Sequence, residues 1–340
     1  RRILITILVA MGVGALFIVA IGENPIDAYA ALFRGAFDGE LRLGTTLAGF
    51  TPLLLTSIAF AVAAKAGAFN VGVEGEVFLG GITAAYIGIN WTFLPKPALY
   101  VACFVGAMVV AAAWAFIPAV LRAYYNVNEV CTTILMNTVA LYITSYLVSG
   151  PMSAGTANAQ SLPVTVRLYQ FMKPSSVNVG IFIAAITVIV IIFMLQKSSW
   201  GYKIRTVGLN PTHADYVGID SKKVFIGAMM LSGMLGGMAG CIEVLGVHGY
   251  FLNNFATGLG SNGMLAALIV KNNMVSTPFM AFFLAVLKSG AMGMQQSTGV
   301  PKSLVDTITA VFIIIATMET AFQFAKKRKK KTEEKKEDKA

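Results

Sequence analysis

Hydrophobic residues fall in long unbroken runs rather than in the alternation of strands or the one-sided stripe of helices around a soluble core. Runs cover residues 3–21, 43–64, 76–94, 98–121, 130–149, 178–196, 223–246, 262–270, 276–294 and 304–323, with shorter polar segments between them. A helix needs about 20 apolar residues to cross the hydrocarbon of a bilayer. The pattern therefore predicts an all-α membrane protein with about ten transmembrane helices. The run 262–270 is short and flanked by glycine, which reads as half of a discontinuous helix. The first run, from Ile3 to Ile21, lacks a small-residue cleavage site leading into a soluble domain, so it is read as a retained span and not a signal peptide.

One interruption stands out. Lys65 to Gly81 reads K-A-G-A-F-N-V-G-V-E-G-E-V-F-L-G-G and is too close to its apolar neighbours to be an ordinary exposed loop. Asn70, Glu74 and Glu76 are interleaved there with five glycines. Amides and carboxylates at membrane depth are costly unless they face a cavity or find partners. Irregular backbone is tolerated at that depth only where it is buried in protein or lines a watery path. The stretch is read as a broken or re-entrant element beside a transport pathway. A fainter echo occurs later: Phe69–Gly75 and Phe255–Ser261 are both glycine-interrupted and both precede a short apolar run. On the topology below these repeats are inverted, and paired interrupted segments in the two halves point to a midplane binding site.

Composition agrees with the runs and removes other classes. Only 12% of residues are charged and 56% are hydrophobic, with mean hydropathy +0.73, far from the mix of a soluble domain. The formal charge of +10 suggests nucleic acid at first sight. However, Lys326–Ala340 alone holds nine Lys/Arg against four Asp/Glu, a net of +5, so no nucleic-acid partner is inferred. This tail, 324–340, reads as a basic, disordered cytoplasmic extension that sets topology and could meet anionic lipid. With the N-terminus inside, ten Lys/Arg fall on cytoplasmic ends and six outside, before the tail is counted. That bias places both termini in the cytoplasm of a multi-pass plasma-membrane protein. Cys103, Cys131 and Cys241 lie in apolar runs and imply no disulfide.

Two connections are long. Gly150–Val177 is external and rich in Ser, Pro, Ala and Asn, as a solvated or partner-facing loop is. Lys197–Lys223 is internal. Within it Asn210 can cap and Pro211 can begin a short helix that Gly218 ends. An amphipathic helix on the inner surface (Asn210, Pro211, Thr212, His213, Ala214, Asp215, Tyr216, Gly218) can dock a soluble partner, or be a plain solvated connector.

The candidate solute-pathway residues are Phe69, Asn70, Glu74, Asn137, Glu243 and Asn262. Asn70 and Glu74 suit a polar, hydroxyl-bearing or heterocyclic solute, or they cap broken helix ends. Glu76, near a helix N-terminus, is read as structural. Asn137, mid-span in C-T-T-I-L-M-N-T, serves either as interhelical glue or as lining. Glu243 sits at the outer end of a glycine-rich span and could gate an outer cavity. No catalytic constellation, metal cluster or phosphate loop is present in the sequence. If ATP energises transport, its hydrolysis belongs to another chain.

Two motifs carry a family resemblance. F-N-V-G-V-E-G-E (Phe69–Glu76) resembles the F-N-[IL]-G-x-E-G-Q signature of permeases in sugar, nucleoside and branched-chain amino-acid ABC importers. G-Y-K-I-R-T-V-G-L-N-P-T-H-A-D-Y-V-G-I (Gly201–Ile219) resembles that family's cytoplasmic loop. The V-E-G form and E-V-L-G-V-H-G-Y (Glu243–Tyr250) look most like the larger permease subunit of nucleoside systems. The resemblance implies a vitamin-importer-like (type II) permease domain over 1–323. Its first half would be 43–150, its inverted second half 223–323, and its coupling loop 197–223. It also implies a second, smaller permease, ATP-binding-cassette subunits and an extracellular substrate-binding lipoprotein. ATP and Mg would sit on those partners, with no cofactor on this chain. Glu76 in place of Gln, and Asn262 in place of an expected Asp, depart from the pattern near the path. Against this stand a sugar or amino-acid cargo, a proton-coupled secondary transporter using Glu74 or Glu243, and a membrane receptor or scaffold.

Overall fold

The structure is a computed structural model that describes residues 2–299 and, beyond them, 301, 303–304, 306–307 and 310. The tenth apolar run and the basic tail lie almost wholly outside the described residues. The helices are α1 (Arg2–Ile21), α2 (Pro25–Phe37), α3 (Gly39–Lys65), α4 (Val73–Asn90), α5 (Lys96–Tyr125) and α6 (Glu129–Ser149). They continue with α7 (Gly180–Lys197), α8 (Ser199–Leu209), α9 (Pro211–Tyr216), α10 (Ser221–Ile242), α11 (Leu259–Ile269) and α12 (Thr277–Thr298). A π-helical turn, Glu243–His248, extends α10.

Six of these helices are long and apolar enough to cross a membrane: α3, α5, α6, α7, α10 with its π turn, and α12. A seventh span results if α1 and α2, bent by 113° at residues 22–24, count as one. Two of the ten runs do not meet that test by themselves. The run 76–94 forms the 18-residue α4, whose glycines and two glutamates leave it below the apolarity of a lone span. The run 262–270 is only the 11-residue α11. The sequence reading missed α2, because Asp27, Arg34 and its short length break the apolar run. Asn24 starts α2 by accepting from Ile26 N–H, with Pro25 in the first turn, the placement that suits its missing N–H.

The chain divides into two compact units, Gly39–Val286 and the N-terminal residues to Asp38 with those from Leu287 onward. In the second of these, Ile18, Ala28, Leu32, Ala291 and Met294 form an apolar core. In the first, α10 packs against α3, α4 and α5. α3 and α10 are mostly buried, whereas α6 and α7 expose most of their surface. Lipid tails are as apolar as leucine, so helices in a bilayer gain by close van der Waals packing through small residues. The α10–α5 crossing uses this: Gly237 lies against the Ala107 backbone and Gly233 against that of Ala111. A methyl group added at either position would collide.

The backbone of the connection 150–179 is tied to the helices. Its backbone runs along helix ends: Thr165 N–H donates to Gly88 O (3.1 Å), Leu168 N–H to Leu245 O (2.9 Å) and Val164 N–H to Gly249 O (2.9 Å). Gln170 Nε2 adds a 2.8 Å bond to Gly246 O. The last carbonyls of a helix have no partner within it, and this segment supplies partners to those of α4 and α10.

Candidate functional site

The break between α3 and α4 is built from its hydrogen bonds. α3 stops at Gly67, whose φ of +81° suits a residue without Cβ. Ala68 N–H donates to Ala63 O (3.0 Å) and Gly67 N–H to Ala64 O (3.1 Å), the paired bonds of a Schellman stop. Five residues, Ala68 to Gly72, then carry the chain to the start of α4. The orphan groups of that start are taken by two asparagines. Asn70 Oδ1 accepts from Gly72 N–H at 2.9 Å. Asn137 on α6 accepts from Gly75 N–H at 2.8 Å and donates to Val71 O at 2.9 Å. An amide side chain matches an unpaired N–H and an unpaired C=O at once, which an apolar residue cannot do.

Asn70 is 1% exposed. Its Nδ2 donates to Glu76 Oε1 and to Ser232 Oγ of α10, each at 2.9 Å. The amide is thus fully committed to holding the break against α10. Glu76 is equally buried, and its Oε2 has no hydrogen-bond partner among the described residues.

Glu74 has a different setting. It is half-buried, and Ser261 Oγ donates to its Oε2 at 3.3 Å. Gly260 lies so close that an added Cβ would stand 2.5 Å from Glu74 N and 2.9 Å from its Cα. Thr56 Oγ1, which donates to Pro52 O of its own helix at 3.0 Å, also lies 3.3 Å from Leu259 O at the start of α11. The two glycine-interrupted segments, Phe69–Gly75 and Phe255–Ser261, therefore meet at Glu74.

The remaining candidates are placed as follows. Phe69 is half-buried, edge-on to Phe60 at 4.9 Å. Asn262 uses its amide on the Gly258 carbonyl of its own first turn. Glu243, 7% exposed, opens the π turn with His248 Nε2 3.7 Å from its Oε2. It lies eleven residues beyond Ser232, about 16 Å along the helix, so it does not join the cluster at the break. Ser232 and Ser261, which reach Asn70 and Glu74, were missed by the sequence reading. The signals available were a serine inside an apolar run for Ser232 and, for Ser261, the end of the interrupted segment Phe255–Ser261.

Towards the other end of α10, the segment 197–223 folds into α8 and α9. Asn210 accepts from His213 N–H at 3.0 Å, Pro211 sits in the first turn, and Gly218, with φ +80°, follows the helix. Ala214 is buried, whereas Thr212 and His213 are exposed. Asp215 accepts from Ser221 N–H and Oγ, both at 3.0 Å, tying α9 to the start of α10. Asp220 caps α10 at Lys223 N–H (3.0 Å), and that bond holds its carboxyl below the ordinary value. Leu209 and Tyr216 are 88% and 86% exposed, so the hairpin offers an apolar knob on a polar base.

A helical multi-span protein with an amide-pinned break at its centre and an ordered hairpin beyond α7 has the build of a solute permease. Residues 42–317 match the family described as branched-chain amino acid transport system / permease component, and the chain belongs to that family. It is 33% identical to the guanosine ABC transporter permease NupP of Bacillus subtilis, over 96% of both chains. It is 32% identical to the glucose ABC transporter permease TsgB13 of Haloferax volcanii, over 91% of this chain and 85% of the other. The nucleoside ABC transporter permease NupB of Lactococcus lactis is 31% identical, over 91% and 88%. No solved structure matches the chain. The protein is a multi-pass ABC transporter permease subunit and not an enzyme; ATPase activity belongs to partner subunits.

Proposed function

We propose that the chain forms the translocation pathway of a nucleoside importer and works by alternating access. The observation that carries this is near-full-length similarity to two permeases named for guanosine and nucleoside. Glu74, joined to Ser261 where the two interrupted segments meet, is its solute-facing carboxylate. Asn70, Asn137 and Glu76 shape the break behind it. Phe69, Glu243 and Asn262 belong to the same route, with Glu243 towards the outside. A ten-span, type II-like arrangement with inverted halves, 43–150 and 223–323, and both termini cytoplasmic, is the topology that fits this reading.

Residues 197–223 are the coupling loop. The exposed Leu209 and Tyr216 seat in a groove of the ATP-binding subunit, and the bonds from Asp215 and Asp220 pass its movement to α10. A second, smaller permease and an extracellular substrate-binding lipoprotein complete the assembly, with ATP and Mg on the ATPase. A glucose-type cargo is the second reading, favoured by the similarity to TsgB13. The deciding experiment is purification with genomic neighbours and reconstitution with the binding protein. Nucleosides, and not hexoses or leucine, are expected to stimulate ATP hydrolysis and uptake. A hexose response alone would select the second reading, and uptake driven by a pH gradient without ATP would reject both.

A further inference from the structure

A cavity of about 440 Å³ lies at the Asn90 end of α4, walled by α4, the end of α6 and the 150–179 connection. Its size falls in the range of small-molecule sites, roughly 300–1,000 Å³. Thr83, Tyr86 and Asn90 line it from one face of α4, at the three- and four-residue spacing that stacks side chains along a helix. Leu147, Met152 and Leu162 form the opposite, apolar wall.

The polar face presents acceptors. The Thr83 hydroxyl donates its proton to Leu79 O at 2.7 Å, which leaves its oxygen as an acceptor. Asn90 Nδ2 donates to Tyr86 O at 2.9 Å, and Asn90 Oδ1 accepts no bond among the described residues. The Tyr86 side chain is half exposed.

We infer that this cavity binds the base of a nucleoside at the Asn90 end of α4, an inference that rests on the importer reading above. A planar heterocycle stacks on the Tyr86 ring and against the apolar wall, with its N–H edge towards Asn90 Oδ1 and Thr83 Oγ1. A lipid tail would fill the volume but desolvate those acceptors without replacing their hydrogen bonds.

The test uses cells expressing the full chain with its partner subunits in a Cys131→Ser background, since Cys103 and Cys241 are buried. Leu162→Cys and, separately, Met152→Cys report from the apolar wall through a charged, membrane-impermeant maleimide. Saturating nucleoside is expected to slow labelling at least threefold at both positions, whereas glucose and leucine leave it unchanged. Asn90→Leu is expected to raise the KM of uptake severalfold at normal abundance in the membrane, and Asn90→Asp to restore part of it. The site is overturned if nucleoside is imported yet labelling is the same with and without it, if neither cysteine is labelled from outside, if glucose protects equally, or if Asn90→Leu leaves KM unchanged. Cells that import glucose and no nucleoside would instead refute the cargo reading, and this inference with it.

Discussion

Replacing Asn137 by Leu is the sharpest probe of how the break is held. The change keeps a side chain of similar size on α6 but removes the acceptor of Gly75 N–H and the donor to Val71 O, bonds of 2.8 and 2.9 Å. Gly75 is buried and Val71 half-buried, so water replaces the first bond poorly and the second in part. Leaving a buried polar group unpaired costs about 1–3 kcal/mol. Interhelical bonds in membranes average closer to ~0.6 kcal/mol, because the loosened state finds other partners. Full loss at Gly75 and partial loss at Val71 together give roughly 1–3 kcal/mol. The assay is denaturant or thermal unfolding of the purified assembly, paired with uptake kinetics. Lower stability and a lower maximal rate are expected together, with KM nearly unchanged. Unaltered stability with a raised KM would refute the argument and return Asn137 to the pathway wall.

Four further outcomes rest on the same geometry. Glu76→Gln retains the acceptor for Asn70 Nδ2 and should preserve uptake and stability within about 1 kcal/mol, whereas Glu76→Leu should cost about 1–3 kcal/mol by orphaning that donor; Glu74→Gln, in contrast, should weaken uptake with folding intact, and normal uptake would remove Glu74 from the route. Gly260→Val should push α11 off Glu74, an overpacking cost of about 1–3 kcal/mol, and abolish uptake; normal uptake and stability would contradict the tight approach. Tyr216→Ala, at an 86% exposed position, should leave the melting temperature unchanged and lower substrate-stimulated ATPase severalfold. Full stimulation would remove that side chain from the coupling surface.

Helix positions were legible because a bilayer demands long apolar runs, and each of the first nine runs coincides with a helix. Which face of a helix is buried was not, since a run that is apolar all round carries no stripe. The short helix after Asn210 was readable from a cap, a first-turn proline and a glycine stop, which act locally. The π turn was not: E-V-L-G-V-H has no local signal for its widened pattern, which is accompanied by bonds from Leu168 and Gln170, more than seventy residues earlier in the chain. For the same reason the backbone bonds of the 150–179 connection were not legible. Its composition is that of a solvated segment, but the carbonyls it satisfies belong to helices elsewhere in the chain.

The two carboxylates of the break show how far local geometry could have gone. Glu74 and Glu76 are two residues apart at the start of α4, and positions i and i+2 on a helix face away from each other. One had to turn inward and the other elsewhere. Composition could not decide which, because both are flanked by glycine and valine. The choice is made by α10, whose Ser232 accepts from Asn70 and thereby brings that amide beside Glu76, and by α11, whose Gly260 leaves room for Glu74. The buried carboxylate has an amide donor that keeps the break shut, whereas the half-buried one has only a serine hydroxyl at 3.3 Å, a bond long enough for a solute donor to displace. A residue that must exchange partners during transport cannot also be the one that holds the backbone together. On that ground Glu74, and not Asn70 or Glu76, is the group on which transport should depend most directly.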